Sequence, residues 1–249
     1  MENLKGKVAV VTGGNSGIGK ATARLFAERG AQVVITGRRR DAVQTAAAEI
    51  GYGVIGLTGD VAELDHHARL VEEIRRRFGG LDIFVANAGV ISLAATPDVT
   101  VADYDRQFAV NTRGTFFGVQ ALLPLLRDGG SIVLVGSLAA TKVLENHAVY
   151  AGTKAALAAF ARNWALELKA RRIRVNVLSP GPVDTPVVTK LGVSDADRPA
   201  FLEAMGEKIP AGRFGDVREL ARAALFLVSD ESSFVNGTEL HVDGGMSLT

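Results

Sequence analysis

Tyr150 and Lys154 stand four residues apart, and Ser137 precedes the tyrosine by thirteen. On a helix, residues at i and i+4 are neighbours on one face, so this spacing presents a phenol and an ammonium to the same cleft. A free phenol titrates near pH 10, and an adjacent cation favours its charged form. Lowering that value by about 2 units takes about 2.7 kcal/mol, within reach of one ammonium in a poorly solvated cleft. Upstream, Val8-Ala-Val-Val11 runs into Thr12-Gly-Gly-Asn-Ser-Gly-Ile-Gly19 before a helical pattern begins at Lys20. Gly13, Gly17 and Gly19 allow a tight turn and bring backbone N–H groups up to a pyrophosphate at the helix N-terminus. Their Gly-x-x-x-Gly-x-Gly spacing departs from the commoner Gly-x-Gly-x-x-Gly fingerprint. A tunable phenol beside a nucleotide-binding loop points to proton transfer coupled to hydride transfer.

Such groups need a scaffold, and the apolar runs supply one. Val8–Val11, Gln32–Thr36, Val54–Thr58, Ile83–Ala86, Ser131–Val135, Arg174–Leu178 and Glu239–Val242 read as strands. The first six are near-continuous in Val, Ile and Leu, as parallel strands covered on both faces are. Amphipathic stretches such as Ala62–Phe78 and Ala102–Leu126 lie between them and are long enough for crossover helices. The alternation predicts an α/β fold: a single doubly wound Rossmann-type domain over residues 1–249, with a seven-stranded, mainly parallel sheet flanked by helices. Pro180–Arg213 interrupts the pattern; a connection this long, rich in proline, reads as a substrate-binding loop or lid. Within it, Val187–Lys208 carries enough charge and alanine for short helices. The segment Val149–Ala170 is apolar nearly all round, which predicts burial on more than one side, against the protein's own sheet or against another subunit.

Composition narrows the function. Net charge is +1, from 28 Lys+Arg against 27 Asp+Glu, so there is no basic field for nucleic acid. The absence of cysteine excludes disulfides, thiolate metal sites and cysteine nucleophiles. Lys7–Thr12 already reads as a buried strand, leaving no room for a signal peptide, and no apolar run approaches the roughly 20 residues of a membrane span. The expected location is cytoplasmic. His66, His67, His147 and His241 show no metal-ligand spacing, and His66-His67 reads as a solvated helix face.

Taken in order, these motifs resemble the short-chain dehydrogenase/reductase family over essentially the whole chain. Thr12–Gly19 is similar to its Thr-Gly-x-x-x-Gly-x-Gly loop, which implies cofactor contacts from Gly13, Asn15, Ser16, Gly17, Ile18 and Gly19. Asn87-Ala88-Gly89 resembles its Asn-Ala-Gly segment beneath the adenine pocket. Asn111, Ser137, Tyr150 and Lys154 match the order and spacing of its catalytic tetrad. Pro180-Gly181-Pro-Val183-Asp-Thr185 is similar to its nicotinamide-side turn, and Val235–Gly245 to its closing strand. The resemblance implies that Ser137 holds a substrate carbonyl while Tyr150 acts as general acid in reduction and general base in oxidation. Lys154 would lower the Tyr150 pKa and bind the nicotinamide ribose. Asn111 would anchor a water relaying protons to Lys154, or else be a buried amide satisfying the backbone. Asp60 would meet the adenine amino group, with the Val61 backbone on the ring, and Asp60 also suits a cap for a helix starting near Ala62. Val183 and Thr185 would contact the carboxamide and pyrophosphate. Gly136-Ser137-Leu138-Ala139 departs from the family's frequent Ser-Ser pattern, which bears on the pocket wall.

Cofactor choice depends on the residues just beyond the second strand. An acid there pairs with a ribose 2′-OH, whereas arginine accommodates a 2′-phosphate. This chain places Gly37-Arg38-Arg39-Arg40 at that point, with no acid before Asp41. NADP(H) is therefore expected, led by Arg38 with Arg39, and NAD(H) is the alternative. Ser16 counts against NADP(H), since some NADP-users place a basic residue there. The expected activity interconverts a small-molecule carbonyl and a secondary alcohol. An enoyl reductase or dehydratase on the same scaffold, and a catalytically silent cofactor-binding regulator, are the alternatives. The resemblance also implies a homotetramer, with a dimer as the smaller assembly. Ile91–Ala95, Leu138–Val149 and Pro180–Arg213 would form the substrate pocket.

Overall fold

The computed structural model describes residues 3–185, 194 and 197–249. The apolar runs become β1 (Val8–Thr12), β2 (Gln32–Gly37), β3 (Ile55–Thr58), β4 (Leu81–Ala86), β5 (Leu126–Val135), β6 (Arg174–Pro180) and β7 (Glu239–Val242). They form one sheet in the order β3-β2-β1-β4-β5-β6-β7. Each adjacent pair is parallel, from Val8 opposite Gln32 to Pro180 opposite Val242. β1 is buried throughout because both faces are covered. Its alternate residues enter opposite cores: Ala9 and Val11 join Phe26, Val43 and Leu220, while Val8 and Val10 join Leu70, Leu157 and Trp164.

On the first face lie α1 (Gly17–Glu28) and α2 (Arg40–Ile50), with the late helix Val217–Val228. The second face carries α3 (Leu64–Phe78), α5 (Gly114–Leu122) and α6 (Ala148–Glu167). The helix expected over Ala102–Leu126 is divided. It comprises α4 (Val101–Phe108), a π-helical turn Ala109–Arg113, and α5, which stops at Leu122. Pro124 cannot donate an N–H to continue it, and Leu126 already belongs to β5. β5 therefore starts before Ser131. Leu126 pairs with Leu81, the register shifts, and exposed Arg127–Gly129 bulges out, with Gly129 at φ +77°.

α6 is not buried all round. Leu157, Ala161 and Trp164 face the core, whereas Gly152, Ala155 and Leu166 are exposed, Leu166 by 65%. The expectation for His66-His67 is overturned, since the two side chains are only 2% and 3% exposed. The inward face of α3 (Leu70, Ile74) extends back over both histidines by helical spacing.

Of the expected lid, residues 186–193, 195 and 196 lie outside the described residues. Beyond them, α7 (Arg198–Gly206) is one of the expected short helices, followed by α8 (Val217–Val228). Arg198 pairs with Asp184 and donates to the Thr185 carbonyl at 3.3 Å, tying α7 to the turn after β6. No helix among the described residues is long and apolar enough to cross a membrane.

Candidate active site

β1 is flanked by β2 and β4, so the strand order reverses there and the sheet opens a crevice at its carboxyl edge. The loops after β1 and β4 meet in that crevice. Thr12 Oγ1 accepts from the N–H groups of both Asn87 and Ala88 at 3.0 Å. Asn87 Nδ2 donates back to Thr12 O at 2.8 Å and Gly13 O at 3.3 Å. Gly13 and Gly17 take φ of +64° and +51°, which L side chains rarely adopt. A Cβ on Gly19 would lie 2.6 Å from Gly13 O and collide with the Asn87 amide. Ser16, the N-cap of α1, makes no side-chain capping bond, and the first turn contains no acid. The helix start thus keeps N–H groups for an external anion, and the cradle fits a dinucleotide pyrophosphate.

Past β2 and β3 lie the residues expected at the adenosine. Arg38, Arg39 and Arg40 are all exposed. The Arg38 guanidinium stands 3.8 Å from the Asp60 carboxylate. Asp60 Oδ1 accepts from the Ala62 N–H at 3.0 Å, but α3 starts at Leu64 with Glu63 at its N-cap. Asp60 therefore closes a turn and is not the helix cap. Asn15 packs where Gly37 leaves room, since a Cβ at Gly37 would collide with its amide.

The four tetrad side chains converge from three elements. Ser137 follows β5; its Oγ accepts from the Ala139 N–H at 3.2 Å, and its side chain stands close enough to the Tyr150 phenol to favour the charged form. Lys154 is 5% exposed and donates to the Val135 carbonyl at 2.7 Å, with Nζ 5.9 Å from the Tyr150 ring centroid. Asn111, fully buried in the π-helical turn, accepts from the Val90 N–H at 2.8 Å. It donates to the Val90 carbonyl at 2.9 Å and to Thr153 Oγ1 at 3.0 Å. Thr153 Oγ1 in turn donates to the Tyr150 carbonyl at 2.7 Å. The Asn111 amide thus satisfies both backbone groups of Val90. It also stands beside the lysine, because a Cβ at Gly89 would lie 3.4 Å from both Asn111 Oδ1 and Lys154 Nζ.

The expectation of a depressed phenol is corrected. Burial holds the Tyr150 pKa above its usual value, and the Ser137 side chain opposes this only in part. Burial likewise pushes Lys154 down to about 8. Desolvation of the charged form governs both shifts, and the ammonium is directed at the Val135 carbonyl.

In the turn expected at the nicotinamide, Pro180 ends β6 and the Gly181 N–H donates to the Val242 carbonyl at 3.1 Å. Val183 bridges to Gly215, whose N–H bonds the Pro182 carbonyl at 2.9 Å. An open cavity of about 530 Å³ adjoins the tetrad. Ala94, Ala95 and Thr96 form one wall; Ala139–Ala148 and Ala151 form the other, so His147 and Ala148 bring its rim to Tyr150. The expected walls are present in part, with no lining residue from Pro180–Arg213 among the described residues.

Sequence reading missed Thr153, Val90, the Val135 carbonyl and the buried histidines. The partners of Asn111 and Lys154 are backbone atoms or one threonine, which carry no spacing signal. Gly59, against His66, and Gly118, against His67, are the trace that the buried histidines leave in the sequence.

A family model described as enoyl-(acyl carrier protein) reductase matches residues 13–247. Versicolorin reductase 1 of Aspergillus parasiticus is 38% identical, covering 97% of this chain and 97% of its own length. The 3-oxoacyl-[acyl-carrier-protein] reductase of Thermotoga maritima is 36% identical over 98% of this chain and 99% of its own. A solved short chain dehydrogenase/reductase family protein is 42% identical, with a TM-score of 0.89 and full coverage of both chains. The chain belongs to the short-chain dehydrogenase/reductase family, whose members are NAD(P)-dependent oxidoreductases. It is an enzyme acting on carbonyl and alcohol groups.

Proposed function

We propose that the protein reduces a carbonyl to a secondary alcohol, with Tyr150 as the proton donor and NADPH as the preferred cofactor. The observation that carries this reading is the Ser137 side chain beside the Tyr150 phenol, with Lys154 buried one helical turn on, at the rim of an open cavity. Gly13–Gly19, Asn87–Gly89 and Pro180–Thr185 would hold the cofactor, Arg38 and Arg39 its 2′-phosphate, and Asp60 and Val61 its adenine. Once bound, the nicotinamide supplies the hydride. Ser137 donates to the substrate carbonyl oxygen and holds it at the phenol, and the Tyr150 O–H protonates that oxygen as negative charge develops. A phenol whose pKa is raised by burial is fully protonated at neutral pH, the form that reduction requires. Asn111 and Thr153 fix the Tyr150 turn of α6, and Lys154 presents its ammonium from the next turn.

The basic turn after β2 supports NADP(H), because guanidinium forks match phosphate and no carboxylate occupies the place of a ribose partner. The cavity mixes small apolar walls, from Ala94, Ala95, Ala139 and Ala140, with polar Lys142, Glu145, Asn146 and His147, so it suits a substrate with both an apolar body and polar groups beside the carbonyl. Two similar proteins named for their reactions, a versicolorin reductase and a 3-oxoacyl-[acyl-carrier-protein] reductase, agree with carbonyl reduction. Enoyl reduction, the description attached to the family model, needs no hydroxyl pair poised on a carbonyl oxygen. The exposed face of α6 supports association with further copies, and the family resemblance favours a tetramer over a dimer. The test is NADPH and NADH oxidation over aromatic ketones, sugars, 3-oxoacyl thioesters and enoyl thioesters. Turnover confined to the enoyl compounds would overturn the carbonyl reading.

A further inference from the structure

His66 and His67 open α3, are almost wholly buried, and take no part in the chemistry above. His67 Nε2 lies 2.9 Å from the Val61 carbonyl oxygen. A carbonyl can only accept, so Nε2 carries the proton and Nδ1 the lone pair. That Nδ1 is buried and has no partner among the described residues. An unsatisfied buried acceptor is costly, so the imidazole is poor core filling at this position. What it provides is a single donor directed at Val61.

The surroundings are shaped around that contact. A Cβ on Gly114 would stand 2.7 Å from the Val61 oxygen, and one on Gly118 would stand 3.2 Å from His67 Cε1. The adjoining space between Thr12, Val61, Phe84 and Thr115 is too narrow for water, so on that side the imidazole has no solvent competitor for Val61. Arg113, from the π-helical turn that holds Asn111, donates to the next carbonyl, Ala62 O, at 2.8 Å. The Val61–Ala62 backbone is therefore clamped from two elements. We infer that His67 is a positioning residue for the adenine end of the cofactor, acting through the Val61 peptide. The inference rests on the reading that Asp60 and Val61 receive the adenine. A fixed Val61 peptide keeps Asp60 and the ring-contacting backbone in place before the cofactor arrives, so less order has to be created on binding.

The test is calorimetric binding of the two halves of the cofactor, without turnover. Adenosine 2′,5′-bisphosphate and 5′-AMP report the adenine end, and reduced nicotinamide mononucleotide reports the other. His67→Leu should weaken the better adenosine ligand about tenfold and leave the mononucleotide within about twofold. His67→Gln, whose Nε2 can still donate to Val61, should restore adenosine binding to within about threefold of wild type. Should His67→Leu fail to fold, His67→Asn, which is too short to reach Val61, takes its place against His67→Gln. Equal weakening of both half-cofactors would mean a merely structural role and overturn the inference, as would unchanged adenosine binding in the Leu or Asn variant. Wild-type protein that binds the mononucleotide but neither adenosine ligand would refute the adenine reading itself, and this inference with it.

Discussion

Acidification should destabilise this protein through His66 before its carboxylates begin to titrate. His66 is 2% exposed, and its Nε2 has no hydrogen-bond partner among the described residues. Burial, with the neighbouring His67 and Arg69, pushes its pKa from 6.5 down to about 4. The folded state therefore favours neutral imidazole, whereas the unfolded chain protonates near 6.5. The stabilising contribution is complete above pH 6.5 and is lost as pH falls through that value toward 4. Integrating the proton uptake from pH 7 to pH 4.5 gives a loss of about 2.5 kcal/mol from this one group. In a chain of this size that corresponds to about 5–10 °C in Tm. Asp216 and Glu219, each held at about 2 chiefly by arginine hydrogen bonds, lose their contributions mainly below pH 4.5. The assay is thermal unfolding of wild type and His66→Gln by circular dichroism at pH 7, 6, 5 and 4.5. Subtracting the variant removes the carboxylates and His67, which titrate in both proteins. Wild type should lose about 5–10 °C more than the variant over this range. Parallel curves would show that His66 is protonated in the native protein or solvated on a faster local opening, and would refute the reasoning.

Tyr150→Phe should lower turnover by about 10²–10⁴-fold with NADPH binding nearly intact, since only the transferable proton is removed. Activity within about threefold of wild type would assign the proton to another group. Arg38→Asp should weaken NADPH by about 1.5–3 kcal/mol and improve NADH, read from the two KM values; a wild type that already prefers NADH would contradict the basic-turn argument. Gly19→Ala should reduce cofactor affinity more than about tenfold, because its Cβ would meet the Gly13 carbonyl at 2.6 Å and the Asn87 amide; titration by nucleotide fluorescence measures this. Sedimentation at micromolar concentration should find a tetramer, and Leu166→Glu on the exposed face of α6 should shift it toward smaller species. A stable wild-type monomer would remove the association proposal.

Much of this enzyme was legible in its residues, because the features concerned are local. Short continuous runs such as Val8–Val11, bounded by turn residues and alternating with longer amphipathic stretches, read as strands covered on both faces, so the parallel sheet was legible in the pattern. Gly13 and Gly17 are required by the left-handed backbone of their own turn, whereas Gly19 is required by the close approach of Gly13 O and Asn87. Tyr150 and Lys154 share a face because a helix repeats every 3.6 residues. What the chain does not display locally is solvent and distant backbone. The phenol was expected to be acidified by Lys154, yet its pKa is raised, since burial depends on Val135, Ser137 and the surrounding packing. His66-His67 looks like a polar pair on a surface helix. Only the approach of the residue 59–62 loop and α5, over Gly59, Gly114 and Gly118, makes it interior. The division of the long helix by a π-helical turn at Asn111 likewise depends on Val90 and Thr153, 21 residues before it and 42 after. Hydrogen-bond partners that far apart, and the water they exclude, are set by tertiary packing, because no short-range pattern encodes which backbone will arrive opposite a side chain.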